Sequence, residues 1–192
     1  MSNQTSKKEN VVLYVARISL ILLAITVVVA AALAGVNSIT EPVIKANTER
    51  KTQEAIEAVL PGGGDPVDFQ DETGMVSVVY KGENGYAVQV APVGFNGAIT
   101  MMVGVDFDGN ILGISVISQT ETAGLGAVCA EKTSKGEDFR NQYVGKSGEI
   151  TVIKSGTPAD NEIVAISGAT ISSKAVTTGI NAALACVKGL LG

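Results

Sequence analysis

The segment from Ser167 to Ser173 reads SGATISS and joins a β-like run to the last helical pattern of the chain. We expect a strand-to-helix turn here. Small residues let a ligand approach the backbone closely, and the first four N–H groups of a helix have no partner within it. The positive end of the helix dipole adds roughly 0.3–1 kcal/mol for an anion at an exposed site. A phosphate group suits such a turn, although a helix N-cap beside a glycine turn explains the same residues.

A second loop, from Glu121 to Gly126, reads ETAGLG and directly follows a predicted β-hairpin. Gly124 and Gly126 flank Leu125, so the backbone can lie flat against a planar ring. An ordinary loop at the end of a strand has the same composition. On its own, the loop therefore leaves both interpretations open.

The composition excludes several kinds of chemistry. The chain contains no histidine and only two cysteines, Cys129 and Cys186. Without histidine there is no Ser-His-Asp or Cys-His catalysis and no His-ligated metal. Two cysteines outside a C-x-x-C pair cannot alone hold an iron–sulfur cluster or a structural zinc. Redox chemistry would therefore need a bound cofactor. We expect buried free thiols, with a disulfide as the alternative in an oxidising compartment.

The charge distribution bears on the partners of the chain. There are 14 Lys and Arg against 19 Asp and Glu, a net charge of −5. Three of the basic residues, Lys7, Lys8 and Arg17, stand before a long apolar run, so the rest of the chain is more acidic still. Such an acidic domain binds nucleic acid poorly, and we expect no nucleic acid as a partner.

The apolar run from Ile18 to Val36 contains only two polar residues. As a helix it would be about 28 Å long, close to the hydrocarbon thickness of a bilayer. It predicts one transmembrane helix in contact with membrane lipid. A signal peptide cleaved near Ala34 is the alternative, but the run is longer than the apolar part of such signals. The preceding basic residues predict a cytoplasmic N-terminus, 1–17, and an extracytoplasmic domain on the cell (inner) membrane.

Beyond the span, the pattern predicts a connecting helix over 37–64, with Thr40 as its N-cap, and a domain over 65–192. Alternating apolar residues predict two hairpins and two further strands before a C-terminal helix. The predicted strands are Val76 to Tyr80, Tyr86 to Ala91, Ala98 to Val105, Ile111 to Ser118, Glu149 to Lys154 and Glu162 to Ile166. We expect Phe139, Tyr143 and Val144 in the core. One face of the C-terminal helix should pack on the sheet through its apolar residues, which are Val176, Ile180, Ala183, Leu184 and Val187. The predicted fold class is α+β: one N-terminal transmembrane helix, then a mainly antiparallel sheet flanked by helices.

The SGATIS sequence resembles the attachment motif, roughly S/T-G-A-T-x-S/T, of the FMN-binding domains in the G subunit of the Rnf ion-translocating electron-transport complex. The same motif occurs in the C subunit of the sodium-translocating NADH:quinone reductase. In these families the threonine carries FMN as a phosphoester. The resemblance therefore implies that Thr170 is the covalent FMN site and that Ser167, Gly168 and Ala169 lie beside the cofactor.

The ETAGLG loop is similar to E-T-P-G-L-G in the same families, where it lines the flavin, with Ala123 here in place of proline. The resemblance implies five further flavin contacts. These are Glu121, Thr122, Gly124, Leu125 and Gly126.

As a whole, the resemblance implies a membrane-anchored flavoprotein subunit that relays electrons in an Rnf-type ferredoxin:NAD ion-translocating complex. Such a subunit has no complete active site of its own. Its implied partners are the other membrane and peripheral subunits of the Rnf complex and the flavin transferase that attaches FMN. Two alternatives remain. One is a membrane-tethered sensory or accessory domain that binds flavin outside an electron path, and the other is a structural scaffold in which SGAT is only a helix cap.

Overall fold

The structure is a computed structural model that describes the backbone of residues 3–192 and the side chains of residues 13–192. The chain divides into two compact units, Met1–Asn47 and Thr48–Gly192. The first helix, α1, spans Asn3–Val59, so its last turns belong to the second unit.

In the first unit, α1 carries a stretch with a mean hydropathy of 2.7 and none of that stretch is buried. By length and composition it is the one described helix suited to cross a membrane. Thr40 lies inside this helix, where its hydroxyl donates to the carbonyl of Val36 at 2.8 Å. The prediction that Thr40 is an N-cap is therefore wrong, because a threonine hydroxyl can also bond back to the preceding turn.

The second unit is built on a five-stranded antiparallel sheet in the order β1-β2-β3-β4-β5. Both predicted hairpins, β2 with β3 and β4 with β5, are confirmed. Each consecutive pair is joined by a local connection, as expected for antiparallel strands. The strands are β1 Asp65–Val67, β2 Val76–Lys81, β3 Gly85–Val90, β4 Thr100–Asp106 and β5 Ile111–Ser118.

After the sheet come a 3₁₀ turn and helix α2, then two short strands and the C-terminal helix α3. The two short strands pair with each other in parallel and form a separate small sheet, a pairing that the sequence does not predict. These elements are the 3₁₀ turn Gly126–Ala130, α2 Ser134–Asn141, β6 Thr151–Ile153, β7 Glu162–Val164 and α3 Thr170–Leu191.

The main sheet buries both faces, because alternate residues of a strand point to opposite sides. Met101 belongs to the larger apolar cluster with α3, whereas its neighbour Met102 belongs to a second cluster with the end of α1. The predicted apolar face of α3 is confirmed as buried: Val176, Ile180, Ala183, Leu184 and Val187. Together these elements confirm the α+β class and fix the start of α3 against the sheet.

Three expectations concern single side chains in this core. Tyr143 is fully buried and its hydroxyl shares a 2.8 Å hydrogen bond with Thr177. Val144, which the sequence also places in the core, is exposed, so that prediction is wrong. Cys129 and Cys186 are buried free thiols, as expected.

Candidate functional site

The SGAT segment forms a tight turn followed at once by α3. The amide of Ala169 donates to the carbonyl of Ile166 at 2.9 Å, which closes a four-residue turn. Gly168 is its third residue and has a φ of +77°. A type II turn requires a positive φ at this position, which glycine adopts without steric cost. The turn needs its glycine, and it delivers Thr170 as the first residue of α3.

The start of α3 has no side-chain cap. Its N-cap is Ala169, directly after the glycine turn, and no hydroxyl of the segment caps the helix. The first bond along the helix runs from the amide of Ser173 to the carbonyl of Ala169, at 3.0 Å. The N–H groups of Thr170, Ile171 and Ser172 consequently have no carbonyl partner within the helix. These hydrogen-bond donors and the positive end of the helix dipole lie at the end of α3 that begins with the half-buried Thr170.

The ETAGLG loop is held by its own backbone. The amides of Leu125 and Ala127 both donate to the carbonyl of Thr122 at 3.1 Å. This arrangement folds the loop tightly before it continues into the 3₁₀ turn. Leu125 stays exposed at 43%, whereas Gly126 is buried.

Glu121 connects this loop to two other parts of the domain. Its side chain is buried, and both carboxylate oxygens accept hydrogen bonds. Oε1 accepts from the amide of Asn96 at 2.9 Å, and Oε2 accepts from the hydroxyl of Ser172 at 2.5 Å. The carboxylate is thus satisfied within the protein and ties the loop to the first turn of α3.

The two segments enclose a cavity of about 350 Å³. Seven of the nine predicted site residues line it, together with three residues that the sequence analysis missed. The predicted residues are Glu121, Thr122, Leu125, Gly126, Gly168, Ala169 and Thr170, and the missed ones are Phe95, Ile171 and Ser172. The remaining two predicted residues, Gly124 and Ser167, line a neighbouring cavity of about 340 Å³.

The two segments meet without spare room. A Cβ atom on Gly126 would collide with the hydroxyl of Ser172 and the carboxylate of Glu121. A Cβ atom on Gly168 would lie 3.0 Å from Cδ2 of Leu125. The glycines of both segments therefore let distant parts of the chain pack directly against each other beside Thr170.

The missed residues carry weak signals in the sequence. Ser172 belongs to the SGATIS segment, but its partner Glu121 is 51 residues away, and no local pattern links them. Phe95 sits between Gly94 and Gly97 in a short turn, and 65% of its surface is exposed. An aromatic residue flanked by turn glycines is the one signal that points to it.

Burial also affects a thiol next to the loop. Burial, reinforced by the nearby Glu121 carboxylate, raises the pKa of Cys129 to about 11. A thiol in this state stays protonated at neutral pH and is a poor nucleophile. Cys129 is thus a structural residue of the 3₁₀ turn.

A larger cavity of about 600 Å³ lies near the other end of α3, next to Asn181 and Lys188. None of the predicted site residues lines it. Both polar groups of the Asn181 side chain are already bonded to the backbone of Ile150, at 3.0 and 2.9 Å. Size alone therefore does not make it the better site.

Comparison with known proteins identifies the class of this domain. A family model described as an FMN-binding domain matches residues 94–185. This range contains the turn with Phe95, the ETAGLG loop and the SGAT segment. The chain thus contains an FMN-binding domain.

Similar proteins narrow the class further. The G subunit of the Na⁺-translocating ferredoxin:NAD⁺ oxidoreductase complex of Acetobacterium woodii is 35% identical, over 91% of this chain and 92% of its own. The G subunit of the ion-translocating oxidoreductase complex of Methanosarcina acetivorans is 31% identical, over 88% of this chain and 93% of its own. The chain therefore belongs to the G-subunit family of ion-translocating oxidoreductase complexes.

Among solved structures, the C subunit of the Na⁺-translocating NADH-quinone reductase from Parabacteroides distasonis superposes with a TM-score of 0.48 at 26% identity. The match covers 60% of this chain and 61% of that one.

Proposed function

We propose that the protein is the electron-carrying G subunit of an Rnf-type ferredoxin:NAD ion-translocating complex, with FMN joined through its phosphate to the hydroxyl of Thr170. The observation that carries this proposal is the shared cavity. Thr170 and four residues of the ETAGLG loop are far apart in the sequence, yet they line one cavity. The 35% identity to a G subunit along nearly the whole chain supports the same conclusion.

The residues of the cavity suit a phosphate-bearing planar cofactor. Thr170 is the first residue of α3, where the unpaired backbone N–H groups favour an anion. Exposed Phe95, Leu125 and Ile171, which line the same cavity, offer apolar surface. Binding sites of this kind combine apolar walls with a few well-placed polar groups.

When bound, FMN supplies the electron-carrying chemistry. The chain's own contribution is to bind and orient. Thr170 provides the point of attachment, and α3, buried along one face, holds that point still. Glu121 fixes the loop opposite, because both of its oxygens are occupied by Asn96 and Ser172.

The membrane placement belongs to the same proposal. The basic residues Lys7, Lys8 and Arg17 precede the apolar part of α1, which supports an N-terminus in the cytoplasm and a flavin domain outside it. A cofactor released there is lost to the cell, so a covalent bond retains it. A flavin transferase would form that bond. The other Rnf subunits would supply the ferredoxin and NAD sites, which leaves this subunit without a complete active site.

Ferredoxin-dependent NAD reduction by the purified complex tests the relay role. We compare Thr170→Ala with Thr178→Ala, which removes an exposed hydroxyl two turns further along α3. Both complexes should assemble, because neither hydroxyl caps the helix. We expect loss of turnover only in Thr170→Ala. Normal turnover in a flavin-free Thr170→Ala complex would contradict the relay role.

A further inference from the structure

A small hairpin between β3 and β4 points its tip at the candidate site. Val93 and Ala98 form an antiparallel bridge, and the amide of Gly94 donates to the carbonyl of Gly97 at 2.7 Å. The amide of Ile99 bonds to the carbonyl of Pro92 at 2.9 Å. These bonds define a tight turn with Phe95 and Asn96 at its tip.

Two consecutive residues of the neighbouring loop fix this tip. The hydroxyl of Thr120 donates to the carbonyl of Asn96 at 3.2 Å, and the amide of Asn96 donates to Oε1 of Glu121 at 2.9 Å. Because Glu121 also bonds to Ser172, the tip is linked to the first turn of α3. The backbone that carries Phe95 is therefore held in one place relative to Thr170.

The Phe95 side chain itself has little to pack against. It is 65% exposed and lines the cavity together with Leu125 and Ile171, which are also exposed. A single exposed apolar residue needs no explanation. Three of them around one cavity, one being an aromatic ring on a fixed backbone, form an apolar rim that favours a ligand.

We propose that Phe95 is a binding residue for the flavin ring, held in position by Thr120 and Glu121. This inference rests on the proposed attachment of FMN at Thr170. Phe95 is the aromatic member of the rim, and aromatic rings pair with each other in offset-stacked or edge-on arrangements. Because the backbone of the tip is already fixed, less conformational entropy is lost when the tethered ring binds.

The chain offers a matched control at Phe107. This side chain is also partly exposed, at 42%, but its ring already packs edge-on against Tyr86 with centroids 5.6 Å apart. Phe107 directly follows the last residue of β4, whereas the Phe95 tip precedes the first, and β4 is about 20 Å long. A probe at Phe107 therefore stands well away from the Thr170 cavity.

The chain contains no tryptophan, so an introduced indole is the single one in the protein. An indole in contact with an excited flavin donates an electron that returns on recombination, so emission is lost and nothing is consumed. We would extract the full-length flavinylated chain as wild type, Phe95→Trp and Phe107→Trp, verify one covalent FMN per chain by intact mass, and measure flavin fluorescence lifetimes. The expected result is a lifetime shortened severalfold in Phe95→Trp and unchanged in Phe107→Trp.

Each other outcome has a definite meaning. A flavinylated Phe95→Trp protein with the wild-type lifetime would overturn the assignment, as would equal shortening in both variants. If the Phe95→Trp protein does not accumulate, Phe95→Tyr replaces it, because a phenol also quenches and differs from the Phe95 ring by one oxygen. A wild-type chain without covalent FMN would instead refute the proposed function, which separates the two failures.

Discussion

Glu121 and Ser172 form a buried hydrogen bond of 2.5 Å between residues that are 51 positions apart in the sequence. The same carboxylate accepts a hydrogen bond from the amide of Asn96, so one side chain connects three segments around the cavity. Because both oxygens of this buried carboxylate already accept hydrogen bonds within the protein, Glu121 stabilises the arrangement of the site.

The first prediction concerns the stability that Glu121 provides. Glu121→Ala leaves the Ser172 hydroxyl and the Asn96 amide without their acceptor, and one such buried group costs about 1–3 kcal/mol. In a chain of this size that lowers the melting temperature by about 2–4 °C per kcal/mol. Glu121→Gln keeps one oxygen and the side-chain shape, so it should lose less.

Thermal melts of the full chain in detergent, followed by circular dichroism, measure this effect. Glu83→Ala, in the exposed turn between β2 and β3, is the control and should leave the melting temperature unchanged. A Glu121→Ala protein as stable as the Glu83→Ala protein would show that the buried carboxylate does not connect the segments in solution.

The second prediction concerns Gly168. With a φ of +77°, substitution by alanine forces a left-handed conformation that costs roughly 1–2 kcal/mol. The new Cβ would also press on Leu125. Gly189→Ala is the matched control, because Gly189 lies in α3 in open space, where alanine stabilises a helix by about 0.5–1 kcal/mol. Melting temperatures should move in opposite directions, and a shift of the same sign in both variants would contradict the assigned turn.

The third prediction concerns the Cys129 thiol, whose pKa burial and Glu121 raise to about 11. The pKa of this thiol in the folded protein lies above the ordinary thiol pKa. The group therefore stabilises the folded state at pH values below the ordinary pKa, and this contribution is lost as the pH rises toward the pKa of the folded protein. In a Cys186→Ala chain at about pH 8, below the usual thiol pKa, alkylation should therefore be slow in the native state and fast in urea. Equal rates in both states would contradict the burial of Cys129.

The sequence predicts those parts of the fold that depend on local pattern. The hairpins follow from alternation and from the turn at Asp108-Gly109, and the buried face of α3 follows from its helical spacing. The N-cap prediction for Thr40 is wrong because a threonine hydroxyl serves equally well at a cap and inside a helix. The core prediction for Val144 is wrong because a single apolar residue without periodicity carries no information on burial.

In the candidate site, the two glycine-containing segments can be predicted from the sequence, but the contacts between them cannot. The bonds of Glu121 with Ser172 and Asn96 connect residues distant in sequence, and only tertiary packing brings them together. The same packing divides the predicted residues, because Gly124 and Ser167 face the neighbouring cavity. Residue type indicates that a ligand could bind, whereas the fold decides which side chains it would meet.

FMN on Thr170 would add to the mass of the native protein, and that mass tests the attachment most directly. The full chain, extracted from membranes that also contain a flavin transferase, should be heavier by one FMN less one water. Digestion should place the added mass on the peptide that contains Ser167 and ends at Lys174, and Thr170→Ala should remove it while Thr178→Ala retains it. An unmodified peptide in the wild type, or the same added mass in Thr170→Ala, would contradict the account.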